Sequence, residues 1–581
     1  MLLSILSVLA VPQTAALAQG AAKAAQVDKL MTTAHDYGQF NGSVLVAENG
    51  RVIYKKGLGL ANMEWNIANT PDTKFRLGSI TKQFTAMLVM QLVEAGKIKL
   101  DGKLSDYLPD YRKDVGERVT IHHLLTHTSG IPNYTALPGF METVSRNPFA
   151  VEAFIKKYGS GDLEFEPGTK FNYDNTGYFL LGAIIEKVTG KPYEQVLKEN
   201  ILDPVGMKNT GYDHADTLIN KRAAGYTKSA RGYVNAAYLD MSLPYAAGSL
   251  YSTVEDLYLW DQALYTDKLI SAKSKELMFK PNLSNYAYGW FIAQATLGET
   301  KETVPVFAHD GGINGFNTSI MRLPANKHLI VLLDNTSGGR YLGNLGQQIT
   351  NILYDKPFTL PKRSIGEELI KTVAAHGVEA AIKQYRELKT TQSSVYNFNE
   401  QELNNAGYEL LQMGRTKEAI EIFKLNVEAY PQGFNTYDSL GEAYKKNGDN
   451  ELAIQNYKKS LELNPQNGGA TRALARLNGA TPSGAVDEKT VEKKVDPKIY
   501  DAYVGDYELA PNFIVSITRE DDHLMGQPSG QPKSEIFPSS ETEFFLKVVD
   551  AQITFVKNEQ GQVTQLILHQ NGQNMPARKI K

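Results

Sequence analysis

The chain contains no cysteine, which removes disulfide scaffolds, thiolate zinc sites and cysteine nucleophiles together. Any nucleophile must be an oxygen or an amine. An excess of charge of either sign is missing too. The 61 basic and 64 acidic side chains leave a net charge of −3, with no block of like charge to form a nucleic-acid tract or an acidic tail, so nucleic acid is not an expected partner. No apolar stretch reaches the roughly 20 residues of a spanning helix, and no membrane span is expected in the mature protein. A G-x-S-x-G elbow is also lacking, which disfavours an α/β-hydrolase triad. What is present in quantity is apolar surface. With 42% hydrophobic and 22% charged residues over 581 positions, the chain can bury sizeable cores and divides into more than one domain.

The N-terminus "MLLSILSVLAVPQTAALAQG" carries an apolar run from Leu2 to Val11, then small residues ending at Ala18. This pattern reads as a secretory signal over residues 1–18, although no Lys or Arg precedes the apolar run. The expected location is therefore outside the cytoplasm, periplasmic or extracellular.

After the leader, "SVLVAENGRVIYKKGLG" alternates around Asn49-Gly50, the dipeptide that most favours a tight hairpin. From about Ile80 to Ile330 the pattern is mostly helical, broken by loops such as "THTSGIPNY" and "FEPGTKFNYDNTG". Within it, Ser252 and Glu255 have capping-box spacing and predict a helix start. Strand character returns in "FNTSIMRLPANKHLIVLLDNT". Strands at both ends of one region, with helices between, predict a single α/β domain over residues 28–357, with an antiparallel sheet flanked by helices and an all-helical insertion.

An internal repeat follows. Gly407 and Gly441 are 34 residues apart, as are Ala419 and Ala453, Phe423 and Tyr457, and Pro431 and Pro465. This resembles the tetratricopeptide repeat and predicts helical repeats over 365–478, with "GEELIKTVAAHGVEAAIKQYREL" as cover for an otherwise short stack. Such a stack offers either a concave surface for a protein or peptide partner or a brace for the first domain. Residues 479–497 read as a flexible linker. Residues 498–581 contain short β-rich runs that predict a small all-β domain, a sheet or barrel without a catalytic or metal motif.

Chemistry is concentrated in three separated segments. In "FRLGSITKQF", Ser79 and Lys82 lie one helical turn apart, just before an apolar run that should be buried. Burial lowers a lysine's pKa and leaves a neutral amine able to take a serine proton. "FNYDNTG" places Tyr173 and Asn175 on a turn before a helix, and "VFAHDGGINGFN" places His309 after a short β-run, followed by Gly311 and Gly312. A phenol can relay protons, an Asn amide can bind a substrate amide, and the glycines allow the Gly312 N–H, with that of Ser79, to stabilise an oxyanion. His123 and His127 have the i, i+4 spacing of a helical zinc pair, but "HHLLTH" lacks the glutamate of zinc hydrolases; His127 is better read as a hydrogen-bonding residue of a turn.

Together "SITK", "YDN" and "HDGG", with "LLTHTSG" and "AAGSLYSTVEDLYLW", resemble the serine β-lactamase and penicillin-binding-protein superfamily. The similarity is to its branch of class C β-lactamases, D-alanyl-D-alanine carboxypeptidases, D-aminopeptidases and related esterases, and extends over almost all of residues 30–355. The resemblance implies Ser79 as acylated nucleophile, Lys82 as its base, Tyr173 as proton relay, and Asn175, His309, Gly311 and Gly312 as substrate-binding positions, with no metal and no cofactor. His309 stands where many β-lactamases have lysine, and histidine is only partly charged near neutral pH. The expected activity is D-alanyl-D-alanine carboxypeptidase-like, with an esterase or weak class C-like β-lactamase as the alternative. A non-catalytic peptide-binding protein that uses the repeats is the rival from another class.

Overall fold

The Asn49-Gly50 dipeptide makes the turn its composition predicts. Both residues adopt positive φ, 53° and 74°, as a two-residue hairpin turn matched to strand twist requires. The turn joins β1 (Gly42–Glu48) to β2 (Arg51–Leu58). The computed structural model describes residues 10–137, 139–229, 232–337, 342–477, 495–510, 513–529, 533–546, 551–558, 560–570 and 573–580. Residues 1–9 of the expected leader lie outside them; from Ala10 to Asp36 the chain is helix α1.

Four further strands complete the main sheet: β3 (Phe291–Thr296), β4 (Thr303–Ile313), β5 (Phe316–Leu323) and β6 (His328–Asp334). Their order is β3-β4-β5-β6-β1-β2. β1 pairs antiparallel with β6 from Gly42↔Asp334 to Ala47↔Leu329, so segments nearly 300 residues apart meet at the centre of the sheet. The period-two alternation of β1 sorts its side chains between two cores. Val44 and Val46 face α1 and α5 (Leu342–Leu353), packing with Val27, Met31 and Ile349. Leu45 and Ala47 join the opposite core with Phe84, Met87, Leu257 and Trp260. Packing of α1 begins upstream of the expected domain start at residue 28, because Lys23 is buried with its ammonium on Glu48 Oε1 (2.8 Å) and the Leu353 carbonyl (2.7 Å).

The insertion between β2 and β3 is helical. Its principal helices are α2 (Thr81–Glu94), α3 (Asn175–Thr189) and α4 (Val254–Ala263). Short strands add to this, among them Phe75–Arg76 and Gly211–Tyr212 on either side of Leu250–Ser252. Helix α4 starts one residue later than its capping-box spacing suggests. Thr253, not Ser252, accepts from the Asp256 N–H, while the Asp256 carboxylate is taken by Asn209 N (2.7 Å) and Thr210 Oγ1 (2.8 Å) and does not reach back to close a box.

The first compact unit ends at Phe398 and the second begins at Asn399. Helices α6 (Ile365–His376) and α7 (Val378–Thr391), expected within the repeats, thus group with the first unit. Lys228 pairs with Glu367 at 2.6 Å, and Gln39 donates to the Lys362 carbonyl at 2.6 Å. In the second unit, α8 (Glu400–Gln412) and α9 (Thr416–Ala429) form one helix pair, and α10 (Phe434–Asn447) and α11 (Asn450–Leu463) the next, followed by α12 (Gly468–Leu477). The residues spaced by 34 are the touching points within each pair. A Cβ on Gly407 would lie 2.5 Å from the Phe423 ring, and one on Gly441 would lie 3.1 Å from the Tyr457 ring. Residues 479–494 of the expected linker are outside the described residues. Beyond them eight antiparallel strands close into a barrel whose first strand, Gly505–Ala510, pairs with its last, Gln573–Lys579. No helix among the described residues is long and apolar enough to cross a membrane.

A buried ion pair ties the sheet to the insertion. Arg322 of β5 donates from Nε to Asp261 of α4 at 2.6 Å, with the two side chains 2% and 0% exposed, and its guanidinium lies 4.7 Å from the Tyr265 ring centroid. Removing one partner leaves the other charge uncompensated, at a cost of about 3–5 kcal/mol. Arg322→Met should therefore lower the first unit's unfolding free energy by about that amount in urea titration, and Arg322→Met with Asp261→Leu should recover part of the loss. Equal stability of the single variant and the parent would refute a structural role for the pair.

Candidate active site

Helix α2 is entered through a 3-10 turn, Gly78–Ile80. Gly78 has φ 55°, and a Cβ there would stand 3.0 Å from the Gly312 backbone, so both conformation and close approach demand glycine. Ser79 is half-buried at this turn and Lys82 follows in the first turn of α2. Eleven of the fourteen residues of α2 are buried, which carries Lys82 to 0% exposure. Its Nζ contacts three oxygens: Ser79 Oγ at 3.0 Å, Asn175 Oδ1 at 2.9 Å and the Ala247 carbonyl at 2.9 Å.

Burial drives the amine's pKa down to about 7, against an opposing pull from Asp174. The partners then decide where its lone pair points. The two carbonyl oxygens can only accept, so they take both N–H groups of a neutral amine and leave the lone pair for the Ser79 hydroxyl. The arrangement aims the amine's lone pair at the Ser79 hydroxyl.

Tyr173 is half-buried beside them, with Lys82 Nζ 5.0 Å from its ring centroid. Burial raises the phenol's pKa, which keeps it a neutral donor. Asp174 caps α3 by accepting from Gly177 N; burial lifts its carboxyl to about 7, opposed by the Gly177 N–H and by Lys82. Asn175 was expected to contact substrate, but its Oδ1 is committed to Lys82, and its Nδ2 lies 3.4 Å from Asn133 Oδ1 and 3.3 Å from Thr135 Oγ1. It still lines the cleft.

The third segment arrives on β4. Close approach is needed at Gly311, where a Cβ would stand 1.9 Å from the Leu77 carbonyl and 2.2 Å from Thr318 Oγ1. At Gly312 a Cβ would meet nothing within 4 Å. Gly312 therefore leaves side-chain space open beside Ser79. His309 departs from its expected role as a partly charged substrate contact. It is 3% exposed, its Nδ1 donates to the Asp310 carbonyl at 2.7 Å, and its Nε2 meets Tyr286 Oη at 3.1 Å. Burial and the nearby Lys82 push its pKa down to about 3, so the ring is neutral. His123 and His127 do not share a helix: Ile121–Leu125 ends before His127, which turns away with φ 56°.

A cleft of about 120 Å³ opens over Ser79, Asn175 and Gly312, walled by Phe140, Leu243 and Ile313. Among the described residues that line it, none is Lys or Arg. Three contributors had no readable signal. Ala247 acts through its carbonyl, which no side chain announces, and Asn133 and Thr135 sit in a loop whose partner is 40 residues away or more.

The beta-lactamase family model matches residues 24–351, more than half of the chain. The chain belongs to the β-lactamase family. A tetratricopeptide repeat matches residues 439–467, and a domain of unknown function, DUF3471, matches residues 489–579. PbpX of Bacillus subtilis is 31% identical over 315 residues, 54% of this chain and 75% of that one. A penicillin-binding protein of the same organism is 26% identical over 583 residues, covering 96% of this chain and 99% of its own length. A D-amino acid amidase from Ochrobactrum anthropi shares the fold of the β-lactamase-family domain, at 24% identity and a TM-score of 0.50 over 57% of this chain and 98% of the amidase.

A base that must be neutral sets the pH dependence. As pH falls through about 7, Lys82 gains a proton, so kcat/KM should drop about tenfold per pH unit below that value and level off above it. The same shift has a stability consequence. The folded pKa lies below that of an unfolded lysine, so the unfolded chain binds more protons between the two values and Lys82 destabilises the parent increasingly as pH falls across that window. A Lys82→Met variant should lose turnover, and its unfolding free energy relative to the parent should improve from pH 10 to pH 7. A flat rate profile from pH 5 to 8 would reject the neutral-amine base.

Proposed function

We propose that this β-lactamase-family serine hydrolase cleaves esters or amides with a small apolar acyl group, through an acyl-enzyme on Ser79. Neutral Lys82 takes the Ser79 proton as Oγ attacks the carbonyl carbon. The Ser79 and Gly312 N–H groups hold the oxyanion, and Tyr173 delivers a proton to the departing alcohol or amine. The proton taken by Lys82 passes to Tyr173 as the phenol gives up its own, which leaves both groups neutral. Water then gives a proton through Tyr173 to Lys82 as it attacks the acyl carbon, and Lys82 returns that proton to Ser79 Oγ as the acid departs.

The observation that carries the substrate class is His309: neutral, buried and bonded at both ring nitrogens. A D-alanyl-D-alanine carboxypeptidase must hold a terminal carboxylate, which a neutral ring does not pair with electrostatically, and the described cleft lining supplies no cation in its place. Ester and amide substrates make no such demand. The apolar walls around Phe140, Leu243 and Ile313 fit a small hydrocarbon acyl group.

The test compares a short-chain nitrophenyl ester, a D-amino-acid amide, a D-alanyl-D-alanine peptide and a chromogenic cephalosporin. A missing charge-assisted hydrogen bond is worth about 1.5–3 kcal/mol, so kcat/KM for the ester or the amide should exceed that for the peptide by about 10-fold or more. Preference for the peptide would restore the carboxypeptidase reading. Mass spectrometry should find a fluorophosphonate or penicillin adduct on Ser79; no adduct with either probe would favour a binding protein over an enzyme.

A further inference from the structure

His127 is the most constrained residue near the site that the mechanism above does not use. It is 0% exposed and adopts φ 56°, a left-handed conformation uncommon for a residue with a side chain. Its Nδ1 accepts from the Asp174 N–H at 3.2 Å, so in the neutral ring the proton sits on Nε2, which is buried and has no hydrogen-bond partner among the described residues. Backbone strain and a buried unpartnered donor each destabilise a fold, and their coincidence in one side chain calls for a compensating role.

The polar contacts of His127 converge on the segment around Tyr173, the Asp174 carboxylate included, which lies 3.7 Å from its Nδ1. Its backbone carbonyl accepts from Asn172 N at 2.9 Å, and its ring accepts from Asp174 N, so His127 grips the chain on both sides of Tyr173. The ring itself lies 4.2 Å from the Tyr173 ring, centroid to centroid, tilted by 37°. Tyr286 and Tyr178 enclose its other sides at 4.6 Å and 5.1 Å. The positive φ is what lets one residue turn both its carbonyl and its ring toward the same segment.

We propose that His127 is a positioning residue that sets the Tyr173 phenol against Ser79 by clamping the backbone on both sides of it and packing on its ring. It touches neither substrate nor nucleophile and acts through Tyr173 alone. The proposal rests on the acyl-enzyme reading, in which Tyr173 relays protons.

The test is a double-mutant cycle read in kcat with a nitrophenyl ester. His127→Phe keeps an aromatic ring but cannot accept from Asp174 N; displacement of the relay should cost about 10²-fold in kcat with KM changed less than about threefold. His127→Asn places an oxygen close to the former Nδ1 and tolerates positive φ, so it should restore kcat to within about tenfold of the parent. In a Tyr173→Phe background either His127 substitution should cost less than about threefold more, because there is no phenol left to place. Full kcat in His127→Phe, or additive losses in the cycle, would overturn the proposal. If His127→Phe does not fold, the cycle is run with His127→Leu, which also cannot accept from Asp174 N, and the same criterion of additivity decides. Ser79→Ala is assayed alongside: retained turnover there defeats the acyl-enzyme reading itself, whereas a dead Ser79→Ala with an unimpaired His127→Phe defeats only the role of His127.

Discussion

Burial of a single amine organises the site. Lys82 can be a base near neutral pH only where water does not stabilise its charge, and this requires a helix apolar on nearly every side. The sequence of α2, with Phe84, Met87, Leu88 and Val89 after the lysine, supplies that surrounding. A helix buried on all faces must still anchor its polar groups, and most of them find a specific partner, although Gln83 Nε2 has none among the described residues. Thr85 donates to the Ala246 carbonyl at 2.6 Å, and Gln83 accepts from the Trp260 indole at 3.0 Å. The same neighbouring segment that holds Thr85 presents the Ala247 carbonyl to Lys82, so anchoring the helix and orienting the base are one act of packing.

From that constraint the remaining geometry follows. Ser79 must sit where the helix begins, close enough to reach the amine yet open to the cleft, and the 3-10 turn at Gly78 gives it that place. The turn is pressed against β4, where only glycine fits at Gly311, and Thr318 locks the contact by donating to the Leu77 carbonyl at 2.7 Å. On the other side Arg76, three residues before the nucleophile, pairs with the fully buried Asp213, which Arg222 also binds. The nucleophile is thus carried on a segment clamped by sheet and insertion together. The sheet behind it joins strands from opposite ends of the domain.

Features with a local cause were legible in the sequence. Asn49-Gly50 makes its own turn, the Ser79–Lys82 spacing reflects one helical turn, and the 34-residue repeat reports that Gly407 must admit Phe423 just as Gly441 must admit Tyr457. Features decided by partners distant in sequence were not. The state of His309 depends on Tyr286 and on the depth of burial, neither of which its own motif encodes. The cap of α4 at Thr253 closes no box, because Asn209 and Thr210 claim the Asp256 carboxylate. The first compact unit runs on past residue 357 to Phe398, and α6 is tied to it through Lys228 and Glu367. The role of His127 as a turn residue could be read from "THTSG", but its hold on both sides of Tyr173 could not.

The cost of this site also bears on whether the chain is a catalyst or a relic. Lys82, Asp174 and His127 are all buried, and each is held in a state its ordinary chemistry disfavours: an amine losing its proton, a carboxyl whose pKa is raised, an imidazole donor without an acceptor among the described residues. A protein selected only for folding gains from replacing such groups with hydrocarbon of similar volume, because buried polar clusters are often no more stable than apolar packing. Here the unfavourable groups are adjacent and, through Lys82 and Tyr173, border the half-buried Ser79 hydroxyl at the cleft. Arg322 and Asp261, by contrast, are fully paired and serve the fold. Adjacent buried groups with perturbed protonation, bordering Ser79 in a cleft, favour a site kept for chemistry over a relic.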